Sequence, residues 1–463
     1  MRLAEIIELR PVPAAGLLAT LTRRCPLSCA HCSTSSGPRG EDTPAEALRR
    51  FVGGFTAGDR PEVLMLTGGE PLLRPALVGD LAELAASAGT RTSVLSGMFF
   101  ATEGPVPDRI MRALRHVAHF SASIDVFHER EVPRAAAFRA VHHIMDSGID
   151  VSFHVVGNSM DDPYLADITA SIRAEFRDQA AVLVNHVRQV GRAAVRTVPL
   201  PGAGEQAVEW AGEGAAAEGR PAPCAMAAWP VVGFDGTVTA CCNQRVVDAR
   251  PLPEHLRLGH IAVDDWPRIR RRCQESPVLR TIRTAGVGSC ASCRTLARRP
   301  AALAAAERAG SRPAAGAMDA LGARLQRDAG AAALLRRYGN ERYAPLVLLD
   351  GRESGRGGGC GSGGDAGPGP GLGVGCGCGG DAGPWPGRGA GCGCGGDAGR
   401  GAGYGSSRDA GPETGREPGC GTSRETGDET SRRTGSADTH APECGRHGSR
   451  ESGREYDEGG GPA

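Results

Sequence analysis

Between residues 15 and 200 the chain alternates two hydrophobic periods, and no other feature restricts its fold as much. Short apolar runs at 16–22, 63–67, 92–95, 119–124, 151–156 and 181–187 read as strands. Between them, segments 44–54, 75–88, 106–117, 134–147 and 163–178 repeat apolar residues every three or four positions, the period of an amphipathic helix. Thr43 before Pro44, Asp108, and Asp162 before Pro163 mark helix starts. Strands that alternate with helices form a parallel sheet through right-handed crossovers, so the expected fold is α/β, an open or closed barrel. In such a barrel the chemistry sits on loops after the strands' C-terminal ends.

Composition separates this body from the C-terminal quarter of the chain. Of 69 glycines, 39 fall in the 113 residues from Gly351 onward. Among Leu, Ile, Val, Phe and Met this tail holds just Leu372 and Val374, too little to offset the entropy of ordering, so 351–463 is expected to be a disordered Gly/Cys-rich tail. Gly359, Gly375 and Gly391 each open a repeat of the form Gly-Cys-Gly-(Ser/Cys)-Gly-Gly-Asp-Ala-Gly, 16 residues apart. A metal scavenger and a fused peptide substrate are its two functional readings; repeat expansion in a GC-rich genome is the bland one. Residues 206–222, rich in Gly, Ala, Glu and Pro, read as a linker, and 296–350 as an Ala- and Arg-rich helical extension.

The 53 basic residues are all arginine, which excludes a Schiff-base lysine and a P-loop lysine. Formal charge is zero, so no basic field points to nucleic acid. No apolar run approaches the roughly 20 residues of a membrane span. The start Met1-Arg-Leu-Ala-Glu-Ile lacks the pattern of a secretory signal, so a cytoplasmic location is expected. There, 16 cysteines are ligands or reactive thiols rather than a disulfide framework. His142, His143 and His154 read as core or surface residues, not ligands.

Cys25, Cys29 and Cys32 form a CxxxCxxC just after the first strand. Three thiolates on one loop can hold three irons of a 4Fe–4S cube and leave the fourth iron open. A zinc knuckle with His31 as fourth ligand has the same spacing. Gly68-Gly69-Glu70-Pro71 follows the second strand; paired glycines let a ligand approach the backbone, and Glu70 can accept from an ammonium.

Together these residues resemble the radical SAM family, and the resemblance spans roughly 15–200. It implies a partial (β/α)6 TIM-like barrel. It also implies a 4Fe–4S cluster on Cys25, Cys29 and Cys32 that chelates S-adenosylmethionine and cleaves it reductively to a 5′-deoxyadenosyl radical, which abstracts hydrogen from a substrate. Gly68, Gly69 and Glu70 match the motif that contacts the SAM amino group, and His31 matches a ring position near the adenine. Ser123, in Ser123-Ile124-Asp125, matches a ribose or carboxylate contact, and Arg134 a position for the SAM carboxylate. Ser96-Gly97 and Gly191-Arg192-Ala193 are weaker matches, the latter to a segment of uncertain role.

A second group comprises Cys224, the adjacent Cys241 and Cys242, and Cys290-Ala-Ser-Cys293. Asp235-Gly236 predicts a hairpin that returns Cys241 towards Cys224. Spacing leaves zinc and an iron–sulfur cluster both open. The order resembles a twitch domain, the shorter relative of SPASM domains, in which four cysteines hold one auxiliary 4Fe–4S cluster; Leu258-Gly-His-Ile261 resembles its short strand. Cys224, Cys241, Cys290 and Cys293 are then the ligands, with Cys242 the alternative to Cys241. Cys242 and Cys273 are candidate hydrogen-atom donors, or ordinary structural thiols.

The organisation expected is a core barrel at 15–205, a linker at 206–222, a small α+β auxiliary-cluster domain at 223–295, the extension and the tail. The function implied is radical SAM chemistry on a peptide or natural product, by oxidation, epimerisation or cross-linking. Its partners are a peptide or small-molecule substrate and an electron donor such as a flavodoxin or ferredoxin. The alternative is a non-catalytic iron–sulfur or zinc protein in electron transfer or scaffolding.

Overall fold

A computed structural model describes residues 1–159, 161–195 and 223–349. The expected tail, the linker at 206–222 and the barrel's last residues lie outside the described residues. Six strands form the expected parallel series: β1 (Gly16–Thr20), β2 (Val63–Thr67), β3 (Arg91–Ser96), β4 (Val117–Ile124), β5 (Asp150–Gly157) and β6 (Ala181–His186). Three more complete the sheet: β7 (Val231–Val232), β8 (Thr237–Thr239) and β9 (Arg257–His260). The sheet order is β6-β5-β4-β3-β2-β1-β7-β8-β9. Consecutive parallel neighbours are the order of a barrel, unlike the reversed order of a doubly wound sheet. The sheet is open, because β1 offers its second edge to β7 instead of β6.

Side-chain alternation divides the two faces. Leu17, Ala19, Leu64, Leu66, Val94, Phe120, Ala122, Phe153, Val155 and Val182 are wholly buried, in one core with Leu48, Val52, Val78 and Leu81 from the helices. On the other face Leu18, Met65, Ser123, His154, Val156 and Asn185 are half-buried and more polar. The first face carries the main core; the second also buries Val63, Ser93, His119, Ser121 and Ser152 and is accessible at the half-buried positions.

The five crossover helices run Ala45–Gly53, Pro75–Ser87, Asp108–Leu114, Arg134–Asp146 and Pro163–Phe176. Asp162 caps as expected, accepting from the Tyr164 N–H at 3.0 Å. Thr43 does not cap. It is fully buried, and its hydroxyl donates to the Thr20 carbonyl at 2.6 Å, so it ties the returning loop to β1. The helix expected at 106–117 is shorter, Asp108–Leu114, and the last expected residue, Val117, opens β4. A first helix, Leu3–Leu9, precedes the alternation and was not expected.

The expected hairpin forms around Asp235-Gly236, with the Asp235 carboxylate accepting from Thr237 N–H at 3.0 Å. It extends the main sheet: Leu18 pairs with Val231 and Ala19 with Val232. The expected extension is helical, at Pro300–Gly310, Ala315–Asp328 and Gly330–Tyr338. Its anchor is a buried ion pair. Arg283 on the helix Pro277–Thr284 donates to both Asp319 oxygens, the shortest contact 2.6 Å, with the side chains 3% and 8% exposed. Arg283 also reaches the carbonyls of Ala227 and Cys273. Removing one partner of such a pair leaves a buried charge uncompensated. Asp319→Ala is therefore expected to lower the unfolding free energy by about 3–5 kcal/mol in denaturant titrations.

Candidate functional site

The loop leaving β1 carries Cys25, Cys29 and Cys32 and returns along itself. Bridges join Thr22 to Asp42 and Arg24 to Gly37, and the Cys25 N–H donates to the Gly37 carbonyl at 2.7 Å. The Cys32 N–H closes a turn on the Cys29 carbonyl at 3.2 Å. Burial pushes the Cys25 thiol up to about 12. Burial acts on Cys32 in the same direction, but hydrogen bonds from Thr34 and Ser36 and the Arg192 charge outweigh it, so that thiol titrates below its usual range.

The turn after β2 locks against this loop through backbone alone. Gly69 N–H donates to the Thr22 carbonyl at 2.5 Å and Glu70 N–H to the Arg24 carbonyl at 2.8 Å. Gly68 has φ +144°, and a Cβ there would lie 2.4 Å from the Thr22 carbonyl oxygen; one at Gly69 would lie 2.3 Å from that of Arg24. Both positions require glycine. Glu70 is fully buried, and its carboxylate accepts from Leu72 N–H, Gly97 N–H and the Ser96 hydroxyl at 2.9–3.1 Å. Burial lifts its pKa to about 7 against the lowering by these donors. Ser96-Gly97, weak in sequence, is thus the anchor for Glu70.

At the end of β4, Asp125 is fully buried and gathers two imidazoles. His128 Nδ1 lies 2.7 Å and His31 Nε2 3.3 Å from its Oδ2, while the N–H groups of Phe127 and His128 donate to Oδ1. His31 stacks on Phe127 with centroids 4.6 Å apart. Burial disfavours the Asp125 anion, yet the two imidazoles and their hydrogen bonds hold its pKa at about 2. Burial likewise disfavours the His128 cation, but Asp125 and Cys29 raise its pKa well above the usual value. Sequence reasoning missed His128; its signal was a histidine three residues after the Ser-x-Asp. Ser123 lies on the accessible face beside His154, its register partner on β5.

Gly191-Arg192 comes from the far side, after β6. Arg192 N–H donates to the Cys32 carbonyl and its Nε to the Cys29 carbonyl, both at 2.9 Å. Arg134 opens the helix after β4. Its guanidinium is held by Glu129 at 2.7 Å, Asp167 at 2.7 Å and Ser171 at 2.9 Å, a network on the helix side that contains no cysteine.

Residues 20–171 match the family model described as the Radical SAM superfamily. The chain carries a radical SAM domain. An AdoMet-dependent heme synthase of Methanosarcina barkeri is 40% identical over 111 residues, 23% of this chain and 29% of that protein. A pre-heme d1 synthase of Dinoroseobacter shibae is 40% identical over 92 residues, 19% of this chain and 21% of that protein. The chain thus spans less than a third of the length of these curated relatives. Among solved structures, native anSMEcpe with bound AdoMet and Cp18Cys peptide is similar at a TM-score of 0.38 and 12% identity, covering 67% of this chain and 99% of that one.

The three cysteines of the radical SAM domain can be tested against the two metals their spacing allows. Sulfurs bound to one zinc at about 2.3 Å each sit within about 4 Å of one another. Among the described residues no three cysteine sulfurs lie within 4.8 Å of one another; the one such group of ligand-type atoms is His31, Asp125 and His128. A cluster places each thiolate on a different iron and so calls for a wider spread of sulfurs than one zinc does.

The second cysteine group assembles beside the domain. Cys224, Cys241 and Cys293 pack against the core, and Cys290 opens the helix Cys290–Arg294. After burial, Cys242, Cys224 and Cys293 are what raise the Cys241 thiol, and Cys224 and Cys290 what raise that of Cys293 to about 12. Arg10 donates to Cys242 Sγ at 3.3 Å. Cys273 lies apart, fully buried on the helix Trp266–Glu275 with its thiol on the Ala228 carbonyl at 3.3 Å. Arg23 joins the first loop to the second module: its guanidinium donates to the Thr34 carbonyl at 2.7 Å, pairs with Asp248 at 2.6 Å and lies 4.1 Å over the Phe234 ring.

The Asp125–His128 pair sets a pH dependence. The raised His128 pKa stabilises the fold fully below its ordinary 6.5, and that contribution is lost as pH rises towards the raised value. The depressed Asp125 pKa adds stability above 3.8 that is lost as pH falls through about 2. In the metal-free chain the stability deficit of His128→Gln is therefore expected to be largest between pH 3.8 and 6.5 and to shrink above it, as measured by denaturant titrations across pH.

Proposed function

We propose that the chain is a radical SAM enzyme acting on a peptide or another natural product. The observation that carries this reading is the backbone interlock of the three-cysteine loop with the Gly68–Glu70 turn, at the C-terminal ends of adjacent parallel strands. Cys25, Cys29 and Cys32 are the residues that hold the 4Fe–4S cluster. When bound, that cluster supplies the electron for reductive cleavage of S-adenosylmethionine and so for hydrogen abstraction from the substrate.

This chain's own residues bind, orient and exclude water. Gly68 and Gly69 present bare backbone to the amino group of SAM, with Glu70 fixed behind them by Ser96 and Gly97. The His31 ring, held between Phe127 and Asp125, offers a flat face for the adenine. Leu27, Met98 and Phe127 are buried around the loop and keep water from it. Ser123, His154 and Asn185 on the accessible face offer hydrogen bonds to the sugar or the substrate. Burial holds His154 neutral, with a pKa of about 4. Arg134, engaged by Glu129, Asp167 and Ser171, braces the following helix in this reading instead of meeting the SAM carboxylate.

Cys224, Cys241, Cys290 and Cys293 are the proposed ligands of one auxiliary 4Fe–4S cluster in a twitch-like module at 223–295. Support comes from their mutual electrostatic contact, which raises the Cys241 and Cys293 thiols; Cys241 is kept as the ligand and Cys242, which accepts from Arg10, as the alternative. The barrel then runs over 15–205 and the helical extension over 296–350. A flavodoxin or ferredoxin is the electron donor in this reading. The two curated relatives, named for heme and pre-heme d1 synthesis, match too little of the chain to carry a substrate over.

The test is 5′-deoxyadenosine release from SAM after reduction of the anaerobic protein. Wild type is expected to release it, Cys29→Ala to release none, and Cys290→Ala to keep releasing it. An inert metal scaffold would release none in any of the three. Release by Cys29→Ala would overturn the assignment of the cluster loop, and its loss in Cys290→Ala would overturn the auxiliary role.

A further inference from the structure

Gly191-Arg192 has no role in binding SAM or substrate in the proposed function, yet it contacts the cysteine loop three times. Arg192 N–H meets the Cys32 carbonyl and Nε the Cys29 carbonyl, both at 2.9 Å, and a terminal guanidinium nitrogen meets the Ser36 carbonyl. The approach depends on Gly191, whose φ is +58° and where a Cβ would stand 2.3 Å from the Ser33 oxygen and 2.4 Å from that of Cys32. The other hydrogen bonds of the segment 29–36 are mostly internal: Cys32 to Cys29, Ser35 to Cys32, and Thr34 to Ser36. Outside support comes from Asp125 and Phe127 on His31, from His128 on Cys29, from Arg23 on the Thr34 carbonyl and from Arg192. Two donors of one rigid plane, spread over the carbonyls of Cys29 and Ser36, fix the distance across the stretch that contains two of the three cysteines. A lysine, a single point charge on a flexible stem, cannot span both acceptors in this way.

We propose that Arg192 is a positioning residue for the three-cysteine site. It bridges the Cys29 and Ser36 carbonyls and so holds Cys29 and Cys32 at the separation an iron–sulfur cluster requires. The proposal rests on Cys25, Cys29 and Cys32 being the cluster ligands.

The experiment uses the full chain, reconstituted anaerobically with ferrous iron and sulfide. Wild type is compared with Arg192→Gln, Arg192→Lys and the combined Cys25→Ala, Cys29→Ala, Cys32→Ala variant. Loop iron is the iron per chain that the combined variant lacks. Arg192→Gln is expected to lose loop iron to a chelator about 10- to 100-fold faster, the usual consequence of removing an outer hydrogen bond at a metal site. Arg192→Lys is expected to fall between Arg192→Gln and wild type. In the metal-free chain, amide exchange in Arg192→Gln is expected to quicken at 29–36 and to stay unchanged elsewhere. Wild-type iron release in Arg192→Gln would overturn the proposal, as would exchange that quickens throughout the chain or nowhere. Should the combined cysteine variant hold as much iron as wild type, the cluster reading fails and the positioning role with it. Faster exchange at 29–36 would still mark the clamp itself as real, so the two failures are distinguishable.

Discussion

Two backbone hydrogen bonds, from Gly69 to Thr22 and from Glu70 to Arg24, join the loops after the first two strands. The rest of the site depends on them. They need an approach closer than any side chain permits, which is why two adjacent glycines stand there. Once the turn is seated, Glu70 is carried into the interior, where Ser96 and Gly97 on the third strand's end complete its coordination. Three strand ends are thereby pinned together by one carboxylate and two peptide groups. A buried carboxylate is expensive unless it is hydrogen-bonded, and this one accepts from every donor it needs.

The charged groups follow one logic. The chain has no lysine, so every side-chain cation that braces a cysteine segment is a planar guanidinium or an imidazole. Arg192 spans two carbonyls of the first loop, Arg23 bridges from that loop to Asp248 and Phe234, and Arg10 lies on Cys242 and over the Trp229 ring. A guanidinium offers several donors in a fixed plane and stacks on aromatic faces, and both properties are used here. His128 completes the set between Asp125 and Cys29. The segments that carry the two cysteine groups, far apart in sequence, are joined: Arg23 links the Thr34 carbonyl to Asp248, and Arg245 donates to the Gln189 carbonyl near Arg192.

Much of the barrel was legible because hydrophobic period is a local property. The strand at 63–67 appears with the bounds expected, and the others differ by a few residues at their ends, where pairing with neighbours decides how far a strand runs. Thr43 shows the limit of local rules. It has the residue type and position of a helix cap, yet β1 competes for its hydroxyl and wins. Arg134 has partners that spacing does not record: Glu129, Asp167 and Ser171 hold its guanidinium at the start of the helix after β4. His128, unremarked in sequence, meets Asp125 because a turn three residues long brings it back onto that carboxylate.

By itself the sequence determined the order of strands and helices, the three cysteines after the first strand and the glycine pair after the second. These are set by residue type and spacing, and neighbours in sequence are enough to read them. The tertiary structure alone decided that the sheet opens at β1 and accepts the hairpin there, that Glu70 faces Ser96, that Arg192 reaches back to the cysteine loop, and that Arg134 pairs with Glu129 and Asp167. Each is a contest between distant groups for one buried partner. Such contests are settled by which donor the fold brings within hydrogen-bonding distance, and spacing along a chain does not record that.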